Sequence, residues 1–253
     1  MSFEKKKVVI TGASPDFGQT LAILFAQMGA ELILSARTLD KVWTTAALVK
    51  QAVPLAKVTC FQMNVSRPED IIEFASDVRR VTDRVDILIN NAAYWLDGQL
   101  SDASDEQILE AFNSTAIGST LVTKHLLPLL KQSDEADVVF INSTASLPDN
   151  RHNRCNEAFS AAKAAQSTLA DQLRHRLSDT DIRFITVYPP DFDNPSPLSD
   201  KDWNKVRQVE CGAMGARNVF NAINFALEQD RICSVDKIIM SNNRPEAVHP
   251  VGI

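Results

Sequence analysis

Short apolar, β-branched runs alternate with longer stretches of helical period from the start of the chain almost to its end. The runs Lys7–Thr11, Glu31–Ala36, Lys57–Met63, Asp86–Asn90, Asp137–Asn142, Arg183–Tyr188 and Lys237–Met240 predict strands. Between the first two, Phe17, Leu21, Leu24, Phe25 and Met28 recur at helical spacing, and Gly29 follows as a stop. Ser66-Arg67-Pro68-Glu69 reads as a capping box with proline in the first turn. Ser104-Asp105-Glu106-Gln107 opens another helix in the same way, predicted to run to about Leu127 and stop before Pro128. Near-continuous apolar strands joined by helices describe a parallel sheet covered on both faces. With no internal repeat, low-complexity tract or linker, residues 1–253 are expected to form one doubly wound α/β domain.

Composition narrows the function more than the fold. A formal net charge of −6 argues against a nucleic-acid or anionic-membrane partner, because both reward basic patches. Cys60, Cys155, Cys211 and Cys233 are far apart, show no metal-ligand spacing, and suit a reduced, cytoplasmic compartment. No apolar run approaches a membrane span, and the run after Lys5-Lys6-Lys7 is too short for a secretory signal core. The 8 glycines in 253 residues are about 3%, under half the usual share.

The first strand ends in Thr11-Gly12-Ala13-Ser14-Pro15-Asp16-Phe17-Gly18 and feeds straight into a helix. A glycine turn at such a junction lets a dinucleotide's pyrophosphate approach the free N–H groups of the helix start. The second strand is followed by Arg37, where an arginine suits the 2′-phosphate of NADP and a carboxylate would suit NAD. The fourth ends in Asn90-Asn91-Ala92-Ala93, at the edge where open α/β sheets bind ligands.

With these pieces in this order, the chain resembles the short-chain dehydrogenase/reductase family over essentially its whole length. The family's Thr-Gly-x-x-x-Gly-x-Gly, Asn-Asn-Ala-Gly, helix Asn, Ser, Tyr-x-x-x-Lys and Pro-Gly elements all have counterparts here. The resemblance implies a Rossmann-like sheet, a nicotinamide cofactor, NADP(H) rather than NAD(H) given Arg37, and alcohol–carbonyl interconversion on a small-molecule substrate. It also implies a homodimer or homotetramer assembled through the helices at Asp105–Leu127 and Glu157–Ser178. Cofactor contacts carry over to Gly12, Ser14, Asp16, Phe17, Gly18, Arg37, Asn64, Val65, Asn91, Ala92, Lys163 and Pro189. The catalytic positions carry over to Asn113, Ser143, Phe159 and Lys163. Ser143 is preferred to Ser146 because it ends the apolar strand, which allows an inserted stretch around Asp149–Arg154. The segment from about Asp191 to Val209, with Pro195, Pro197 and Trp203, corresponds to the family's substrate-side lid.

Departures from the pattern matter as much. Phe159-Ser160-Ala161-Ala162-Lys163 stands where the family has Tyr-x-x-x-Lys. Positions i and i+4 share one helix face, so a lysine there sits beside a phenol and lowers its pKa from about 10. Phenylalanine keeps the ring and loses the proton. Asp16 replaces the second loop glycine, Ala93 the glycine after Asn-Asn-Ala, and Pro190 the glycine of Pro-Gly, while Asn64 stands where many relatives have an adenine-binding aspartate. Asp16 brings a carboxylate to a phosphate path, and Pro190 removes an N–H. Tyr94, Tyr188, His152 and Cys155 are the replacement proton donors to examine. Three readings stay open: an NADP(H)-linked oxidoreductase with an atypical site, a catalytically silent ligand-binding relative serving as sensor or subunit partner, and an elimination or dehydration on the same fold.

Overall fold

The computed structural model describes residues 3–148, 155–205 and 214–242. Its strands are β1 (Lys7–Thr11), β2 (Glu31–Ala36), β3 (Val58–Gln62), β4 (Ile87–Asn90), β5 (Asp137–Ile141), β6 (Arg183–Tyr188), β7 (Phe192–Asp193), β8 (Met214–Gly215) and β9 (Lys237–Ile239). The helices are α1 (Phe17–Gln27), α2 (Leu39–Ala52), α3 (Pro68–Val81), α4 (Asp105–Phe112), α5 (Gly118–Leu130), α6 (Glu157–Arg176), α7 (Asp200–Lys205) and α8 (Ala216–Leu227). Seven strands form one parallel sheet in the order β3–β2–β1–β4–β5–β6–β9, and β7 pairs with β8 apart from it. This is the doubly wound, Rossmann-like sheet that the alternating pattern predicted.

The apolar runs are buried on both faces because successive side chains point to opposite sides. Val8 and Ile10 of β1 pack with Leu32 and Leu34 of β2 under α1, α2 and α8. Val9 and Ile33 face the other way, with Leu88 and Val138, under α3, α5 and α6. Gly29 ends α1 with φ +89, the left-handed conformation expected of a helix stop. No helix among the described residues is long and apolar enough to cross a membrane.

Two expected helix boundaries differ. The capping box at Ser104 and Gln107 forms as read, but the helix does not end before Pro128. A π turn over Asn113–Ile117 joins α4 to α5, and α5 continues through Pro128 to Leu130. Proline leaves the Lys124 carbonyl without its helical donor, and both residues are exposed, so water can serve it. Ser66 does not cap α3: Arg67 holds that position without a side-chain cap, and Pro68 opens the helix. Asn64 Oδ1 instead accepts from the Ser66 amide at 3.0 Å, a local turn that competes with the capping box.

Candidate active site

The strand order reverses between β1 and β4, and a cleft of about 450 Å³ opens at their C-terminal ends. The two chain ends are tied together there. Thr11 Oγ1 donates to the Ile89 carbonyl at 3.3 Å and accepts from the Asn91 and Ala92 amides, each at 3.1 Å. The Asn91 side-chain amide donates to the carbonyls of Thr11 and Gly12, both at 3.1 Å. The paired asparagines thus divide: Asn91 borders the cleft, while Asn90 is buried and donates to Thr123 Oγ1 at 3.1 Å.

Gly12 has φ +67, and a Cβ there would come within 2.9 Å of Ala92 Cα. A Cβ on Gly18 would overlap the Gly12 carbonyl. These two glycines are demanded by packing; Gly12 lines the cleft and Gly18 supports the turn from beneath. Ser14, Asp16, Phe17, Val65 and Ala92 line it as well. Asp16 stands at φ 153, ψ −156, a backbone region that favours glycine. Its carboxylate accepts from Asn194 Nδ2 at 3.2 Å, and Asn194 Oδ1 accepts from Thr20 Oγ1 at 2.8 Å. No side chain caps α1; the Gln19 and Thr20 amides of its first turn donate to the Asp16 carbonyl at 3.0 and 3.3 Å, while those of Phe17 and Gly18, at the very start, lie ahead of any intrahelical acceptor.

Arg37 and Lys41 occupy one end of the cleft, where Arg37 Nη1 lies 3.8 Å from Glu110 Oε1. Asn64 does not line it, its side chain being taken up in the Ser66 turn. The other end is walled by Tyr94, Trp95, Ser143, Phe159, Lys163 and Pro189, with Pro190, Asp191 and Phe192 of the substrate-side segment beside them. Phe159 and Lys163 share one face of α6 as their spacing predicted, the Nζ standing 5.8 Å from the ring centroid. Trp95 packs edge-on to Phe159 at 5.0 Å. Ser143 Oγ accepts from the Ala145 amide at 3.1 Å, whereas Ser146 Oγ donates to the Ser143 carbonyl and lies outside the cleft lining.

Asn113 is the first residue of the π turn and does not line the cleft; Ser114 does. Ser114 Oγ donates to the Glu110 carbonyl at 2.7 Å and accepts from the Tyr94 amide at 2.9 Å. Lys41, Glu110, Trp95, Ser114 and Asn194 were not singled out from sequence. Only Lys41, four residues after Arg37, carried a spacing signal. Among the described residues no His, Cys, Asp or Glu cluster could hold a metal ion.

The chain matches the family model of the short chain dehydrogenases over residues 6–205. It belongs to that family. A 3-oxoacyl-[acyl-carrier-protein] reductase of Thermotoga maritima is 28% identical over 213 residues, 83% of this chain and 82% of that protein. An uncharacterized oxidoreductase of Staphylococcus saprophyticus is 25% identical over 94% of this chain and 97% of its own. Among solved structures, an alcohol dehydrogenase from the archaeon Thermococcus sibiricus, complexed with 5-hydroxy-NADP, superposes with a TM-score of 0.80. It is 24% identical and covers 96% of this chain and 100% of its own. A metagenomic short-chain oxidoreductase in complex with NADP gives 0.77 at 18% identity, covering 97% and 100%.

The candidate proton donors separate on burial. Tyr188 is sealed in the core with its hydroxyl 2.6 Å from Ser167 Oγ, so it does not face the cleft. Cys155 lies outside the cleft lining, and burial, with the Asp191 charge adding to it, pushes its thiol up to about 12. His152 and the stretch around Asp149–Arg154 lie outside the described residues, as do positions 206–209 of the expected lid. Tyr94 lines the cleft.

Lys163 is 4% exposed and donates from Nζ to the Ile141 carbonyl at 2.6 Å. Burial pulls its pKa down to about 7 from 10.5. Between those values the unfolded chain binds the proton and the folded chain does not, so the folded state gains stability as pH rises through that window. Comparison of unfolding free energies across pH 7 to 10.5 should show a rise in the parent protein that Lys163→Met lacks. Identical pH profiles would mean that the amine stays solvated. At Asp16, glycine removes a strain of about 1–3 kcal/mol and costs about 0.5–1 in chain entropy. Asp16→Gly is therefore expected to stabilise by about 1 kcal/mol in urea denaturation; a loss would show that the Asn194 bond outweighs the strain.

Proposed function

We propose that the cleft binds a nicotinamide cofactor, NADP(H) in preference to NAD(H), and that the protein interconverts an alcohol and a carbonyl with a weakened acid–base apparatus. The observation that carries this reading is the run of the cleft from Arg37 and Lys41 at one end to buried Lys163 at the other. The residues fit the group. The uncapped start of α1 offers N–H donors to a pyrophosphate, and the Asp16 carboxylate is engaged by Asn194. Arg37 and Lys41 suit a 2′-phosphate. The solved relatives in complex with NADP and 5-hydroxy-NADP support the same choice.

When bound, the cofactor supplies or accepts hydride. The chain itself orients the substrate oxygen through Ser143, whose hydroxyl proton is left free while its oxygen accepts from Ala145. Phe159 cannot move a proton; of the candidate donors among the described residues Tyr94 borders the cleft, and the exchange is assigned to it or to water. A second reading, binding without turnover, is favoured by that same ring and turns on activity alone.

Titration of the protein with NADPH and NADH, followed by nicotinamide fluorescence, is expected to show micromolar NADPH binding and weaker NADH binding. Loss of charge-assisted bonds makes Arg37→Ala bind NADPH about 10- to 100-fold more weakly, leaving NADH little changed. No binding of either nucleotide would overturn the reading. Phe159→Tyr restores a phenol beside Lys163 and is expected to raise carbonyl reduction about 10²–10⁴-fold. Unchanged turnover with cofactor bound would favour the silent reading.

A further inference from the structure

A buried lysine amine at the end of a cleft needs a reason to be there, and none of its surroundings supplies an anion. Nζ of Lys163 has the Ile141 carbonyl as its hydrogen-bond partner, and no carboxylate among the described residues pairs with it. Of the charged groups bordering the cleft, Asp16 is engaged by Asn194 and Glu110 lies by Arg37, while Lys41 and Asp191 make no ion pair with the amine. The titratable neighbour facing it is the Cys155 thiol, which burial keeps protonated. Against the amine lies the Phe159 ring, backed by Trp95, which is 47% exposed.

A lysine desolvated against an aromatic ring can be uncharged near neutral pH, and an uncharged amine is a nucleophile. One N–H bond to the Ile141 carbonyl fixes its orientation without using the lone pair. Tyr94 and Trp95 give the space beside it an apolar, flat-walled character, and the Ser143 hydroxyl can donate to an oxygen placed there.

We propose that Lys163 captures an apolar, flat aldehyde or ketone in this cleft as a covalent imine, an activity separate from hydride transfer. The amine lone pair forms the new N–C bond as the carbonyl π pair moves onto oxygen, which takes up a proton. The nitrogen then loses its two protons, one replacing that taken up and one leaving with the hydroxyl as water. The product is Lys163 N=C and one water, with no oxidant or reductant consumed. This does not depend on cofactor binding and belongs to the nucleotide-free protein.

The test treats the full-length protein at pH 7, without nucleotide, with benzaldehyde and sodium cyanoborohydride, and maps the benzylated peptides by mass spectrometry over time. A lysine amine in water is almost wholly protonated, and so unreactive, at this pH. Lys163 is expected to gain its benzyl group at least about tenfold faster than surface lysines do. Trp95→Ala, a change at an exposed ring, is expected to slow that step while surface labelling stays the same. Lys163→Met, if it folds by circular dichroism, removes the fast phase; if it does not fold, the peptide map of the parent protein decides. Labelling of Lys163 no faster than that of surface lysines, or a rate indifferent to Trp95, would overturn the proposal.

Discussion

Two parallel strands whose connections leave in opposite directions need something to hold their loops together, and here Thr11 and Asn91 do it. Five hydrogen bonds run from these two side chains and from the Asn91 and Ala92 amides across the ends of β1 and β4. The tie brings the backbones so close that Gly12 and Gly18 cannot carry a Cβ. Position 16 lies outside this packing. Its side chain reaches toward the substrate-side segment through Asn194, so the clasp survives an aspartate there even at the expense of backbone strain. The frame of the cleft and the chemistry inside it can therefore change independently.

The opposite end rests on a buried polar cluster. Asn142 donates to the Lys163 carbonyl at 2.9 Å and accepts from the Ser143 amide at 2.8 Å. Gln166, one turn along α6, meets Asn142 at 3.3 Å and the π-turn carbonyl of Thr115 at 3.4 Å. Such a network holds β5, α6 and the π turn in one arrangement, because each unpaired member would cost desolvation energy. It presents Lys163 and Ser143 to the cleft whether or not a phenol stands beside them. What the phenylalanine alters is proton supply, and with it the state of the amine: a ring replaces a hydroxyl that could have shared the charge.

The sheet, its seven strands and the fate of Phe159 and Lys163 were legible in the chain because they follow from local periodicity. Alternate burial on both faces sets a strand, and a separation of four sets a helix face. The apolar run gives a strand that ends at Ile141, and Ser143 follows two residues later as the cap of the next turn. Asn113 was less legible. A π turn displaces the helix face within a few residues, so Ser114 reaches the cleft and Asn113 does not. The Ser66 motif yielded to a side-chain turn at Asn64, a competition between two local bonds that a pattern does not rank.

Tertiary structure alone decided where charges point and how deeply they lie. Asp16 could have faced a phosphate, but its partner is 178 residues away. Tyr188 and Tyr94 both stand near strand ends, yet one is closed over by Ser167 and the other borders the cleft. Sequence determined the family, the order of the strands along the chain, the loss of the phenol and the lysine four residues on, since these are matters of residue identity and spacing. The orientation of Asp16, the burial that shifts Lys163 and the aromatic wall beside it depend on contacts between distant segments, and only packing brings those together.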